Sequence, residues 1–169
     1  MKFLIAILLL WTIKASGDFK SECFGPEGPV KMIYLHGLFP PSGANWYIDL
    51  ESNNRKYLKA LAAEKKVRIA APVASGISKG SYGTNRNWNG ETLASILLKA
   101  QTCGSISKET LLVGFSNGGY RVRALKPFEC RLFKHIYAIG SPGVSPQICP
   151  NRNAIDPHVF PPKGITWKL

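Results

Sequence analysis

The stretch "LLVGFSNGGY", Leu111 to Tyr120, sets an apolar run against a serine that has a glycine two residues away on either side. The apolar residues predict a buried strand, and the pattern after the serine predicts a helix. A Gly-x-Ser-x-Gly turn between a strand and a helix bends the chain sharply and exposes the serine hydroxyl. Gly114 and Gly118 remove side chains that would collide where strand and helix cross. Glycines around a serine also occur in ordinary turns, so the five-residue pattern alone does not identify a nucleophile. The predicted strand before Ser116 and the predicted helix after it favour Ser116 as a nucleophile.

Strand and helix patterns alternate along the rest of the chain. The predicted strands are Val30–Leu35, Val67–Ala74, Leu111–Phe115 and His135–Ile139. The predicted helices are Tyr47–Lys66, Glu91–Cys103 and Asn117–Lys126. Such alternation is typical of crossover units on a parallel sheet, so we expect an α/β fold, an open parallel sheet with helices on both faces. The polar segment Ser75–Gly90 is predicted as a long loop.

The first residues predict an export signal. Lys2 precedes the apolar run Phe3–Ile13, and small residues follow as far as Gly17. A charged start, an apolar centre and a small-residue exit are typical of a secretory signal peptide. The alternative, an uncleaved anchor, is disfavoured because the run is too short to cross ~30 Å of hydrocarbon as a helix. We therefore expect residues 1–17 to be the signal peptide of a secreted or periplasmic protein and residues 18–169 to form one domain, with an irregular tail from about residue 141.

Composition limits the classes of partner. The formal net charge of +12 favours anionic neighbours such as an envelope surface. No nucleic-acid-binding motif accompanies the charge, so no specific nucleic-acid partner is predicted.

Cysteines of an exported chain form disulfides, and the three possible pairings remain open. Their spacing does not suit zinc, so no metal site is predicted. The four cysteines are Cys23, Cys103, Cys130 and Cys149.

A second motif agrees with the serine turn. The first predicted strand ends in "YLHGLF", with His36 and Gly37 at the place where hydrolases of this architecture supply an oxyanion-hole amide. With this motif and the turn at Ser116 taken together, the sequence resembles the α/β-hydrolase family, particularly its secreted esterases and lipases. The resemblance covers about Val30 to Pro142. It depends on "YLHG", "VGFSNGG" and "AIGSPG".

The resemblance implies an activity and a set of site residues. Ser116 would be the nucleophile, and the backbone amides of Leu38 and Asn117 would bind the oxyanion. His36 would hold its loop and would not be the base. The implied reaction cleaves an ester or related acyl bond of a small-molecule or lipid-like substrate through an acyl-serine intermediate. It requires no cofactor.

The chain departs from the family after the fourth predicted strand. Members continue with two more strands, and the acid and the histidine follow the serine in that order. Here the remaining candidates are Asp156 and His158, whose side chains would point to the same side of an extended segment. The alternative is a solvated tail in which the aspartate caps a turn. His135 is predicted at the opposite edge of the sheet from Ser116.

Two hypotheses for the whole protein remain open from the sequence. The first is an active serine hydrolase, and the second is a non-catalytic or truncated domain of the same fold that binds a partner or an envelope component. Three aromatic residues bear on the first hypothesis. They would either line an acyl pocket above the serine or belong to the core or the surface. These residues are Phe39, Trp46 and Trp88.

Overall fold

The computed structural model describes residues 21–38, 45–80, 83–141, 149–155, 160–162, 164–167 and 169. These residues form eight strands and four helices. The strands are β1 (Ser21–Phe24), β2 (Val30–Leu35), β3 (Arg68–Pro72), β4 (Gly76–Gly80), β5 (Gly83–Asn87), β6 (Leu111–Phe115), β7 (Ile136–Ile139) and β8 (Arg152–Ile155). The helices are α1 (Asn45–Lys65), α2 (Leu93–Gln101), α3 (Asn117–Arg123) and α4 (Pro127–Cys130).

Six of the strands form one mostly parallel sheet in the order β1-β3-β2-β6-β7-β8. β1 runs antiparallel to β3, and every other neighbouring pair in this sheet is parallel. β4 and β5 pair separately as an antiparallel hairpin. The predicted α/β fold with an open parallel sheet is therefore confirmed. His135 directly precedes β7 and so lies at the amino edge of the sheet, as predicted.

Helices cover both faces of the sheet because its strands send apolar side chains alternately to either side. On β6, Leu112 packs in a buried cluster with Ile96 of α2 and Val122 of α3. The next residue, Val113, packs in a second cluster with Leu58 of α1. The carboxyl ends of the parallel strands consequently meet at one edge between two helical layers, which is where such sheets place their reactive groups.

Two elements were not predicted because partner strands, and not local composition, define them. β1 lies in a segment for which the sequence indicated no element, and it is held by its pairing with β3. The segment Ser75–Gly90 was predicted as a loop but contains the β4–β5 hairpin. Its glycine-rich and asparagine-rich composition is poor in strand-forming residues, so the sequence pattern did not indicate strands there.

β8 corrects the expectation of an irregular tail. Arg152–Ile155 pairs in parallel with β7, so the sheet continues one strand beyond the fourth predicted strand. Only Ile155 in this strand is a strong strand former, which is why the sequence did not indicate it. The third helix is shorter than the predicted Asn117–Lys126, since α3 ends at Arg123, and a short helix that was not predicted, α4, starts at Pro127. A proline is favourable at a first helical position and unfavourable further inside.

Two disulfides select one of the three possible pairings. Cys23–Cys103 joins β1 to the segment after α2 with a Cα–Cα distance of 5.4 Å, and Cys130–Cys149 joins α4 to the segment before β8 at 5.6 Å. Disulfides fit an oxidising compartment. The proposed signal peptide lies outside the described residues, and no helix within the described part is long and apolar enough to span a membrane.

Removing either disulfide is expected to lower stability, by different amounts. The Cys23–Cys103 bond has a sequence separation of 80 and the Cys130–Cys149 bond one of 19. The chain-entropy model then gives losses of about 4.5 and about 3 kcal/mol. Urea unfolding of the two double alanine variants should show the larger loss for Cys23→Ala/Cys103→Ala. The reverse order would contradict this expectation.

Candidate active site

Ser116 lies at a sharp turn between β6 and α3. Its φ of 53° and ψ of −114° fall where residues other than glycine are rarely found. Hydrogen bonds fix the bend on both sides, because the Ser116 amide donates to the Ile139 carbonyl at 2.8 Å and the Tyr120 amide donates to the Ser116 carbonyl at 3.0 Å. The side chain is partly exposed and does not cap α3. The strained backbone thus presents the hydroxyl at the carboxyl edge of the sheet.

The glycines of the turn allow close approaches of the backbone. A Cβ on Gly114 would lie 2.3 Å from the Gly118 carbonyl oxygen, and one on Gly118 would lie 2.2 Å from the Leu35 carbonyl oxygen. Both distances are far inside van der Waals contact. Gly119, which the sequence analysis did not single out, is equally confined, since its Cβ would lie 2.7 Å from the Ser141 hydroxyl oxygen. All three glycines reflect the packing of α3 against the central strands.

The loop after β2 lies against this turn. Its carbonyl at His36 accepts from the Gly118 amide at 3.1 Å and from Nε1 of Trp88 at 2.8 Å. Leu38 follows two residues later and is partly exposed, and Asn117 is the first residue of α3, where an amide has no intrahelical acceptor. Within the described part of the chain, no backbone carbonyl accepts from either of these two amides. The structure therefore brings together the two segments that hold the predicted oxyanion donors.

The ring of His36 has a structural role. Its Nε2 accepts from the Ala74 amide at 3.0 Å, so the proton is on Nδ1, which donates to the Gly37 carbonyl at 2.5 Å. The ring packs against Trp88 with centroids 4.9 Å apart. Burial lowers the pKa of His36 to about 4, so the ring is neutral at pH 7. Because both ring nitrogens are hydrogen-bonded to backbone groups, His36 is not placed to act as a base.

Trp88 links the turn to the loop that follows β5. Its side chain is 1% exposed, and its amide donates to Oδ1 of Asn117 at 2.8 Å. The Asn117 side chain therefore holds this loop. Trp88 is therefore part of the interior, and it also lines a cavity against α3. Phe39 and the side chain of Trp46 lie outside the described residues.

A buried ion pair holds the same loop from its other side. Nζ of Lys99 lies 2.9 Å from the Glu91 carboxylate, and the two side chains are 2% and 7% exposed. The ammonium also donates to the Val73 carbonyl at 2.8 Å and to Oγ of Ser75 at 2.7 Å. The sequence analysis missed this pair. A signal existed, because Lys99 follows Ile96 at helical spacing on an apolar face, where an unpaired charge would be costly.

Asp156 and His158, the predicted acid and base, lie outside the described residues. The strand register still locates the chain just before them. Phe115 at the end of β6 and Ile155 at the end of β8 stand in one row across the sheet. In the sequence, Ser116 directly follows the first of these residues and Asp156 directly follows the second. β6 and β8 consequently end at the same level of the carboxyl edge.

Comparisons with known proteins add little to this geometry. No protein-family model matches the chain, and no curated protein matches it. A protein of unknown function from Agrobacterium tumefaciens, known from its crystal structure, aligns with a TM-score of 0.40 and 15% sequence identity. The alignment covers 72% of this chain and 59% of that chain, so this chain spans less than two thirds of its length.

Because the backbone of Ser116 is strained, we expect glycine at this position to be more stabilising than alanine, which is the reverse of the usual order. An unfavourable φ/ψ pair costs about 1–3 kcal/mol, and glycine relieves it whereas alanine does not. Ser116→Gly is therefore expected to be more stable than Ser116→Ala by about 1 kcal/mol in urea unfolding. Ala124, at φ −81° on the end of α3, is the control. Because glycine gives the unfolded chain more conformational freedom, Ala124→Gly should destabilise by about 0.4–1 kcal/mol. A Ser116→Gly protein less stable than Ser116→Ala would contradict the expected backbone strain.

The pKa of His36 predicts a pH dependence of stability. The pKa is about 4 in the folded protein, against an ordinary value of 6.5. As pH falls from 6.5 to 4, the unfolded chain binds this proton and the folded chain does not, so the free energy of unfolding decreases. The loss attributable to the ring is about 3 kcal/mol and is complete below pH 4.

The measurement is urea unfolding across this pH range for the wild type and His36→Gln. The variant should lack the part of the pH slope that the ring contributes, and equal slopes would contradict the expectation. If His36→Gln does not fold, an NMR titration of the wild-type ring protons gives the same test. A His36 pKa at or above its ordinary value would then be the contradicting result.

Proposed function

We propose that this protein is a serine hydrolase of α/β-hydrolase type that cleaves an ester or related acyl bond. The supporting observation is the backbone of Ser116, held at φ 53° and ψ −114° directly after a central parallel strand. This strain is what a nucleophile elbow requires to present its hydroxyl. A serine in an ordinary turn gains nothing from a conformation that costs free energy.

The proposed oxyanion hole consists of the backbone amides of Leu38 and Asn117. The hydrogen bond between Gly118 and His36 supports it, because this bond fixes the two segments against each other. Amides that are fixed before reaction stabilise the developing negative charge without reorganising, and each is typically worth about 3 kcal/mol of barrier lowering.

Asp156 and His158 are the proposed acid and base, and the register of β6 and β8 supports this assignment. Parallel strands are spaced about 4.8 Å apart, so chain ends two strands apart are separated by about 10 Å. An imidazole that accepts from a serine and donates to a carboxylate spans a gap of this order. In this proposal Asp156 orients His158, which accepts the proton of Ser116. The departure from the family is that acid and base lie two residues apart.

The proposed reaction has two stages. Oγ of Ser116 attacks the acyl carbon while His158 takes its proton, and the oxyanion is held by the two amides. The intermediate expels the alcohol, which receives the proton from His158, and leaves an acyl-serine. Water then attacks this ester, His158 takes the proton of water and returns it to Ser116, and the carboxylic acid leaves. No cofactor takes part.

The two disulfides and the leader pattern support a secreted or periplasmic location for this proposed enzyme. The high positive charge supports an anionic surface as its surroundings.

A fluorophosphonate probe tests the proposal, because it reacts with an activated serine. The wild type and Ser105→Ala, which removes an exposed hydroxyl, should be labelled alike, whereas Ser116→Ala should not be labelled. His158→Ala should slow labelling by about 10³-fold or more. Folded wild-type protein that is not labelled would contradict the proposal and favour a non-catalytic binding domain. Labelling of His158→Ala at the wild-type rate would remove this residue from the mechanism.

A further inference from the structure

A cavity of about 370 Å³ is lined in part by α3, the helix that starts directly after Ser116. One wall is the loop from Trp88 to Glu91, and the other is the outer face of α3 at Tyr120, Arg121 and Ala124. Tyr120 is one helical turn from Ser116, to whose carbonyl its amide donates. The cavity and the proposed nucleophile are thus connected through one short helix.

This loop is held firmly, so the cavity is a built feature. The backbone amide of Trp88 donates a hydrogen bond to Oδ1 of Asn117, and its ring nitrogen donates one to the His36 carbonyl in the loop after β2. At the other end of the loop, the Glu91 carboxylate is paired with Lys99, and the Glu91 carbonyl accepts from Nε of Arg121 at 2.9 Å. Four hydrogen-bonded or ionic contacts therefore fix the wall of the cavity before any ligand arrives.

The charge of the cavity is positive. The negative charge of Glu91 is balanced by Lys99 at 2.9 Å, which leaves the guanidinium of Arg121 as the uncompensated charge among the lining residues. Within the described part of the chain, no carboxylate forms an ion pair with Arg121. Its Nε is fixed by the Glu91 carbonyl, so its terminal nitrogens are oriented, and such a fork matches carboxylate or phosphate oxygens.

The cavity also offers an apolar contact. The side chain of Tyr120 is 50% exposed at its rim, and a tyrosine ring provides a flat apolar surface with little loss of conformational entropy. We propose that this cavity binds an anionic group, carboxylate or phosphate, on the acyl ester that Ser116 cleaves, with Arg121 as the specificity-determining residue. The inference rests on the proposed hydrolase function for the nature of its ligand. It specifies the substrate class as an anionic ester.

Two esters of similar length test the inference, the neutral p-nitrophenyl butyrate and the anionic mono-p-nitrophenyl succinate. The wild type should hydrolyse the anionic ester with a kcat/KM about tenfold or more above that for the neutral one, which is the effect of one charge-assisted hydrogen bond. Arg121→Gln should bring this ratio to about one, and Arg121→Lys should retain part of it. Arg131→Gln, at an exposed arginine after α4, is the matched control and should keep the wild-type ratio.

A binding measurement separates this inference from the proposed function. Succinate and inorganic phosphate are titrated in turn into ¹⁵N-labelled protein, and the amide signals of residues 88–91 and 120–121 are followed by NMR. Shifts that are present in the wild type and lost in Arg121→Gln support the anion site even if neither ester is hydrolysed, and the more effective anion identifies the group. Equal hydrolysis of both esters by the wild type would overturn the inference and leave the proposed function intact. No hydrolysis and no shifts would overturn both.

Discussion

The packing of α3 against the carbonyl groups at the end of β2 is the constraint on which the site depends. The Gly118 amide donates to His36, and the absence of a side chain at Gly118 lets the helix approach the Leu35 carbonyl. This contact sets the position of Asn117 relative to Leu38. Ser116 directly precedes this helix and has an unfavourable backbone conformation. One close approach therefore fixes both the proposed nucleophile and the proposed oxyanion hole.

Buried polar groups around this contact keep it rigid. The His36 carbonyl and neutral ring, the indole and backbone amide of Trp88, and the side-chain carbonyl of Asn117 take part in one group of hydrogen bonds. The Lys99–Glu91 pair extends this set to α2. Removing one member of a buried pair costs about 3–5 kcal/mol, because its partner is left charged and unpaired. A rigid surrounding of this kind is what sustains a strained residue at a functional site.

The sequence predicted the parts of the fold that local patterns determine. The alternation of apolar runs and helical spacing correctly indicated the parallel sheet, and "VGFSNGG" correctly indicated a sharp turn at Ser116. β1 and β8 were missed because they are held by partner strands distant in sequence, which local composition does not reveal. The β4–β5 hairpin was missed because its glycine-rich and asparagine-rich composition is poor in strand-forming residues. The link between Asn117 and Trp88 joins residues 29 apart, and no spacing rule could have suggested it. Lys99 is different, since a lysine on an apolar helix face does signal a buried partner.

The central claim is that the strained turn presents Ser116 to an oxyanion hole made by two backbone amides. A crystal structure of the protein after reaction with a small phosphonate inhibitor tests it most directly. The account predicts a covalent bond between phosphorus and Oγ of Ser116, with the phosphoryl oxygen about 2.7–3.1 Å from the amide nitrogens of Leu38 and Asn117. An adduct whose phosphoryl oxygen points into solvent, or folded crystalline protein that carries no adduct at Ser116, would contradict it.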